Sequence, residues 1–171
     1  MKNQIIRALF MFVSLLFITI TSISPVDAAI KLTSIEGKKF IDYEITDQSR
    51  KRSLIIIERD LVKLFEKVSS KYLTENELME IDITYLDLPG WIYYAAGPQN
   101  QDIRVVRSDE PYKLYFNYRI KDAAGSIIKE GEQKIKEYSD SGISRRNQNN
   151  RGTVGDYEYP LKKWFKATFT K

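Results

Sequence analysis

Asp82, Asp87 and Asp102 are the side chains with the right type and proximity in sequence to make or break a bond. Two carboxylates can divide acid and base work at a glycosidic bond, or share a divalent cation. Their settings point to structure instead. Asp82 falls on the polar side of an alternating run, and Asp87 precedes Leu88-Pro89-Gly90, where an aspartate braces a turn through its own side chain. No calcium-loop spacing of oxygen ligands is present. Arg104 and Arg107 flank Val105-Val106, so a regular strand places them on opposite faces, unable to form one anion clamp. One of them is expected to pair with Asp82 or Asp87 across a sheet.

Histidine and cysteine chemistry is excluded by composition, which leaves an enzyme only carboxylates, lysine, tyrosine or serine, and none of these stands at a spacing that suggests a site. The 171 residues contain no histidine and no cysteine. Serine–histidine triads, thiol nucleophiles, disulfides and histidine or thiolate metal sites are therefore absent. No nucleophile elbow, phosphate-cradling glycine loop or dinucleotide fingerprint occurs. No metal or cofactor is expected.

Aromatic residues offer recognition rather than reaction. Trp91, Tyr93 and Tyr94 lie between Gly90 and Gly97. In a loop, such residues either form a binding surface for a sugar or a partner protein, or fold back on the sheet. Tyr112, Tyr115 and Tyr118 read as sheet residues, and Trp164-Phe165 as core.

The N-terminus has the three parts of a secretory signal. Lys2 and Arg7 precede an apolar run from Ala8 to Ile20, and Val26-Asp27-Ala28 offers small residues at the cleavage positions. The expected cut follows Ala28. The apolar run is shorter than the roughly 20 residues a spanning helix needs, so the chain is not expected to be an integral membrane protein once cleaved. Avoiding cysteine fits an oxidising compartment. The net charge of +4 is mild and spread along the chain. Arg50-Lys51-Arg52, Arg145-Arg146 and Lys162-Lys163 read as solvated surface, not as a nucleic-acid site.

These groups must be positioned by a small set of elements. Lys38–Thr46 alternates and predicts a strand. Leu54, Ile57, Leu61, Leu64, Phe65, Val68 and Tyr72 recur at helical spacing, and Ile55, Ile56 and Val62 widen that stripe toward a sheet. Leu78–Leu86 is a second strand, Trp91–Gln101 a loop and Asp102–Arg107 a short strand. Pro111–Ile120 and Ser126–Tyr138 form a hairpin around Asp122-Ala123-Ala124-Gly125, with Gly131 as a bulge. Ser139–Asp156 is a polar loop. A last helix starts between Tyr157 and Pro160 and buries Tyr157, Leu161, Trp164, Phe165 and Thr168. The order predicts an α+β class, a single two-layer domain over residues 29–171. A mostly antiparallel sheet of about five strands carries two helices on one face.

Ile83-Thr-Tyr-Leu-Asp-Leu-Pro-Gly90, Asp102-Ile-Arg-Val-Val-Arg107, Pro111-Tyr-Lys-Leu-Tyr-Phe-Asn-Tyr-Arg-Ile120, Gly131 and Tyr157…Leu161…Trp164-Phe165 follow Lys71-Tyr72-Leu73 in that order. The stretch resembles the domain of unknown function 3016 family, exported proteobacterial proteins. The resemblance implies a Gram-negative periplasmic location and supplies no reaction. The chain departs from the family pattern at Pro89, where alanine is favoured, and around Lys136-Glu137-Tyr138, where an aspartate is favoured.

Three readings follow. The first is a non-catalytic periplasmic binding or envelope-accessory module whose partner is an envelope protein or cell-wall polymer. Its candidate binding residues are Trp91, Tyr93, Tyr94, Asp87, Arg104 and Arg107. The second is a carboxylate-based hydrolase of cell-wall glycan using two of Asp82, Asp87 and Asp102. The third is a structural protein tethered through the Ser139–Asp156 loop.

Overall fold

The structure is a computed structural model, and it describes residues 29–33, 35, 40–96, 98–139 and 153–170. The expected signal segment with its expected cleavage point, and most of the stretch 139–156 expected to be a polar loop, lie outside the described residues.

Six strands and two longer helices are present. They are β1 (Ala29–Leu32), α1 (Arg50–Ser69), β2 (Leu78–Asp87), β3 (Trp91–Tyr93), β4 (Ile103–Val105), β5 (Pro111–Lys121), β6 (Ile127–Tyr138) and α2 (Glu158–Phe169). The main sheet runs β1-β2-β5-β6, and β3-β4 form a separate two-stranded ribbon. β1 joins β2 in parallel, whereas β2-β5 and β5-β6 are antiparallel. The class is α+β with a mostly antiparallel sheet, as the alternation of β2 and β5 requires. Six strands replace the expected five, because four residues at the edge and three in the ribbon are too short to show a period.

Strand alternation gives the sheet one apolar face. Met79, Ile81, Ile83, Leu114, Phe116 and Ile120 are buried there. Both helices cover that face. Phe65 of α1 and Trp164 of α2 meet the same Phe116 ring edge-on, at 5.2 and 5.1 Å between centroids. Burying each such ring contributes on the order of 1.5–3 kcal/mol, so this junction is a main anchor of the two layers. Ser49 caps α1, its hydroxyl accepting from the Arg52 amide at 3.3 Å.

Several expectations need correction. Lys38–Thr46 is not a strand over its described part: only Ile41 bridges to Asp87. Asp42 takes φ +49°, a left-handed conformation that ends an extended run. Ile55 does not widen the buried face of α1; it is 59% exposed. Gly131 is not a bulge. It pairs directly with Tyr118, and an added Cβ would lie 3.0 Å from the Tyr118 hydroxyl, so the glycine makes room for the ring. The irregularity of this hairpin lies at Ile120/Lys121 instead. The hairpin turn is braced as its sequence suggests, with Asp122 Oδ1 accepting from the Ala124 and Ser126 amides at 2.9 Å each.

Candidate functional site

The ribbon positions most of the candidate residues. Gly90, at φ +71°, turns the chain out of β2. A Cβ there would fall 2.0 Å from the Val105 carbonyl oxygen, so only glycine lets β3 and β4 close. Trp91 and Tyr93 therefore stand on a strand and not in a loop, paired with Val105 and Ile103. Alternation divides the ribbon into two faces.

The outer face is aromatic and apolar. Trp91 and Tyr93 lie 5.6 Å apart between ring centroids. Tyr93 is 47% and Ile103 36% exposed. The Arg107 guanidinium sits 6.0 Å from the Trp91 ring centroid. It is held there by Asp109, with Nε and Nη2 donating at 2.9 and 2.6 Å, and this pairing raises the guanidinium above its ordinary range.

The inner face looks onto a cleft of about 540 Å³ lined by Phe40, Asp42, Glu44, Arg50, Ile92, Tyr94 and Arg104. Arg104 donates to the carbonyls of Pro89 at 3.0 Å, Gly90, Asp42 at 2.9 Å and Glu44. Burial pulls this guanidinium below its ordinary value, opposed by the nearby Asp42 charge. The expected carboxylate partner across the sheet is not what Arg104 holds. Its fork instead replaces the ladder bonds that segment 42–44 lacks.

Tyr94 parts from the other two aromatics. Its hydroxyl donates to Glu44 Oε2 at 2.8 Å, and Arg50 Nε donates to Oε1 at 2.5 Å. These two donors, Tyr94 first, hold the Glu44 carboxyl below the usual range. Tyr94, Glu44 and Arg50, which line the cleft, thus hold one another. Glu44 and Arg50 carry no motif; only the fold shows that they face Tyr94.

The aspartates do not converge. Asp82 and Asp87 share the open face of the main sheet, opposite Asn117 and Lys113. Four residues along β5 separate those partners, about 13 Å at the usual strand rise. A glycosidase pair needs carboxyl groups roughly 5–9.5 Å apart. Asp87 Oδ2 accepts from Lys113 Nζ at 3.3 Å, while burial pushes its carboxyl up despite that partner. Asp102 Oδ1 accepts from the Ala95 amide at 3.0 Å and so braces the ribbon turn. Among the described residues, no group of three acidic side chains could hold a metal ion.

Residues 28–167 match the family described as a protein of unknown function (DUF3016). The chain belongs to that family. No curated protein matches it. Among solved structures, the DUF3016 chain is similar to a PelC dodecamer subunit from Paraburkholderia phytofirmans. The identity is 10% over 78% of this chain and 87% of that one, with a TM-score of 0.28. It is also similar to a minor lipoprotein from Acinetobacter baumannii, at 9% identity over 82% of this chain and 94% of that one, with a TM-score of 0.30. No helix among the described residues of the DUF3016 chain is long and apolar enough to cross a membrane.

The structure of this DUF3016 chain brings Asp87, Arg104 and Tyr94 to the base and inner side of the ribbon, and Trp91, Tyr93 and Arg107 to its outer side. The inner group ties segments together. The outer group has stacking surface, apolar area and a guanidinium that Asp109 pairs yet leaves more than half exposed.

Proposed function

We propose that this chain is a non-catalytic recognition module of the bacterial envelope, and that it docks a partner protein on the outer face of the β3–β4 ribbon. The observation that carries the reading is the surface of exposed Tyr93 and Ile103 beside the half-buried Trp91, with Arg107 alongside Trp91. Tryptophan, tyrosine and arginine are the residues that dominate protein-binding energetics. Ile103 and Val105 extend the surface with aliphatic area, which favours a protein over a glycan. Export rests on the positive start, apolar run and small-residue site of the first 28 residues, together with the family resemblance.

The carboxylates support the same reading. Asp102 is engaged with a backbone amide and Asp87 with a lysine, and the spacing of Asp82 and Asp87 does not suit sugar hydrolysis.

The test compares wild type with a Trp91→Ala/Tyr93→Ala double variant. Each is incubated with envelope protein extract and, separately, with isolated cell-wall sacculi. Retention of one defined extract protein by wild type alone supports the reading. Retention on sacculi alone moves it to a glycan ligand. Turnover of the glycan, lost in Asp87→Asn, overturns it.

A further inference from the structure

A second surface lies on the helical layer and shares no residue with the ribbon. Between the end of α1 and the outer side of α2 is a groove of about 430 Å³ lined by Lys67, Lys71, Tyr72, Tyr159 and the α2 lysines Lys162, Lys163 and Lys166, with Val68 at its floor. On α2, Tyr159, Lys162, Lys163 and Lys166 stand at i, i+3, i+4 and i+7, a single stripe of the helix. Lys67 and Lys71 stand at i and i+4 across from it. Glu158 is the counter-charge of two of these lysines, Lys67 and Lys162. Its carboxyl accepts from Lys67 at 2.8 Å and from Lys162 at 2.6 Å.

Folding accounts for only part of this arrangement: Lys67 and Lys162 pair with Glu158, whereas Lys71, Lys163 and Lys166 have no ion pair among the described residues. Like charges three and four residues apart on one helix face repel and cost helix stability. Tyr159 stands in their midst 75% exposed, and the Tyr72 ring caps Phe165 at 5.6 Å between centroids, leaving an apolar floor inside a ring of ammonium groups. A soluble polyanion would meet the lysines and leave that floor uncovered. A membrane surface meets both. Lysine stems lie along the acyl boundary with their heads among phosphates, and tyrosines favour that level of the bilayer.

We propose that this groove is a docking surface for an anionic phospholipid membrane. The lysines contact head-group phosphates, and Tyr159 enters the interface between them. The chain then lies on the membrane through its helical layer, independently of what the ribbon binds.

The experiment uses protein secreted by an expression host and purified from its periplasm, so that any processing has taken place. Flotation with phosphatidylglycerol vesicles is compared with flotation with phosphatidylcholine vesicles. The expected result is selective binding to phosphatidylglycerol that is lost at about 1 M salt, where screening reaches about 3 Å. Near an anionic surface each lysine accounts for about five-fold in affinity, so Lys163→Gln with Lys166→Gln costs about 25-fold. The exposed pair Lys51→Gln with Lys136→Gln, outside the groove, leaves binding unchanged. Tyr159→Ser weakens vesicle binding several-fold. Unchanged melting midpoints confirm that the variants fold. Equal binding to phosphatidylcholine overturns the proposal, as does an equal loss in the control pair. Binding of duplex DNA or polyglutamate at the same lysines, without vesicle binding, overturns it too.

Discussion

The Tyr157 hydroxyl donates to the backbone carbonyl of Asp87 at 2.7 Å, and lies 3.2 Å from the Lys113 carbonyl. Tyr157 is fully buried, and burial drives its hydroxyl far above its ordinary range. It meets the Tyr112 ring edge-on at 5.2 Å. One side chain thus pins the entry of α2 to the end of β2 and the start of β5, beside the point where the ribbon departs.

Tyr157→Phe keeps the ring and removes the only proton the hydroxyl could donate. The carbonyls it served are left without that donor in a dry site. The expected loss is about 1–3 kcal/mol, read as a lower urea midpoint with an unchanged slope.

Arg104→Lys keeps the charge but not the fork. A single ammonium cannot span Pro89 and Gly90 on one side and Asp42 and Glu44 on the other. The expected cost is about 2–3 kcal/mol, with amide exchange in residues 42–46 accelerated over wild type more than in β5. An equal acceleration in both segments contradicts the bracing role.

Gly90→Ala meets two penalties, a left-handed φ and a collision with the Val105 backbone. It is expected to cost about 2 kcal/mol or more. It should also disturb the Trp91 fluorescence, while Gly125→Ala at a hairpin tip with open space around it pays only the conformational penalty.

Acid unfolding separates two carboxylates shifted in opposite directions. Lys162 and then Lys67 hold the Glu158 carboxyl below 4.5. Its contribution is therefore present above that value and is lost as pH falls through the lower folded value. Both lysines are more than half exposed, so the contribution is only about 0.5–1 kcal/mol. Glu158→Gln should flatten the acid limb by that amount. Asp87 runs the other way: burial raises it above 3.8, so its charged form opposes folding at neutral pH and that opposition fades on acidification. Asp87→Asn should leave stability at neutral pH within about 1 kcal/mol of wild type or above it, as read by thermal melts across the acid range.

The parts of the fold that a one-dimensional pattern can carry are legible in the sequence. β5 alternates over 11 residues and α1 repeats its stripe over 20, so burial decides both. Segment 40–46 also alternates, yet Asp42 adopts a left-handed conformation and Arg104, more than 55 residues away, supplies the backbone partners. Nothing local records that. The outward placement of Trp91 and Tyr93 depends on Gly90 closing a three-residue ribbon, too short for a period to show. Tyr157 and Asp87 are 70 residues apart, and Glu44 and Tyr94 are 50 apart; neither pair has a spacing signal.

Docking of a partner protein on the outer ribbon face can be caught by photo-crosslinking in living cells, with a benzophenone side chain placed at Tyr93 and, as control, at Ile55 on the exposed side of α1. One discrete adduct of defined mass is expected from position 93, abolished by Trp91→Ala, and none from position 55. No adduct at position 93, or the same adducts from both positions, rules out a partner on this face.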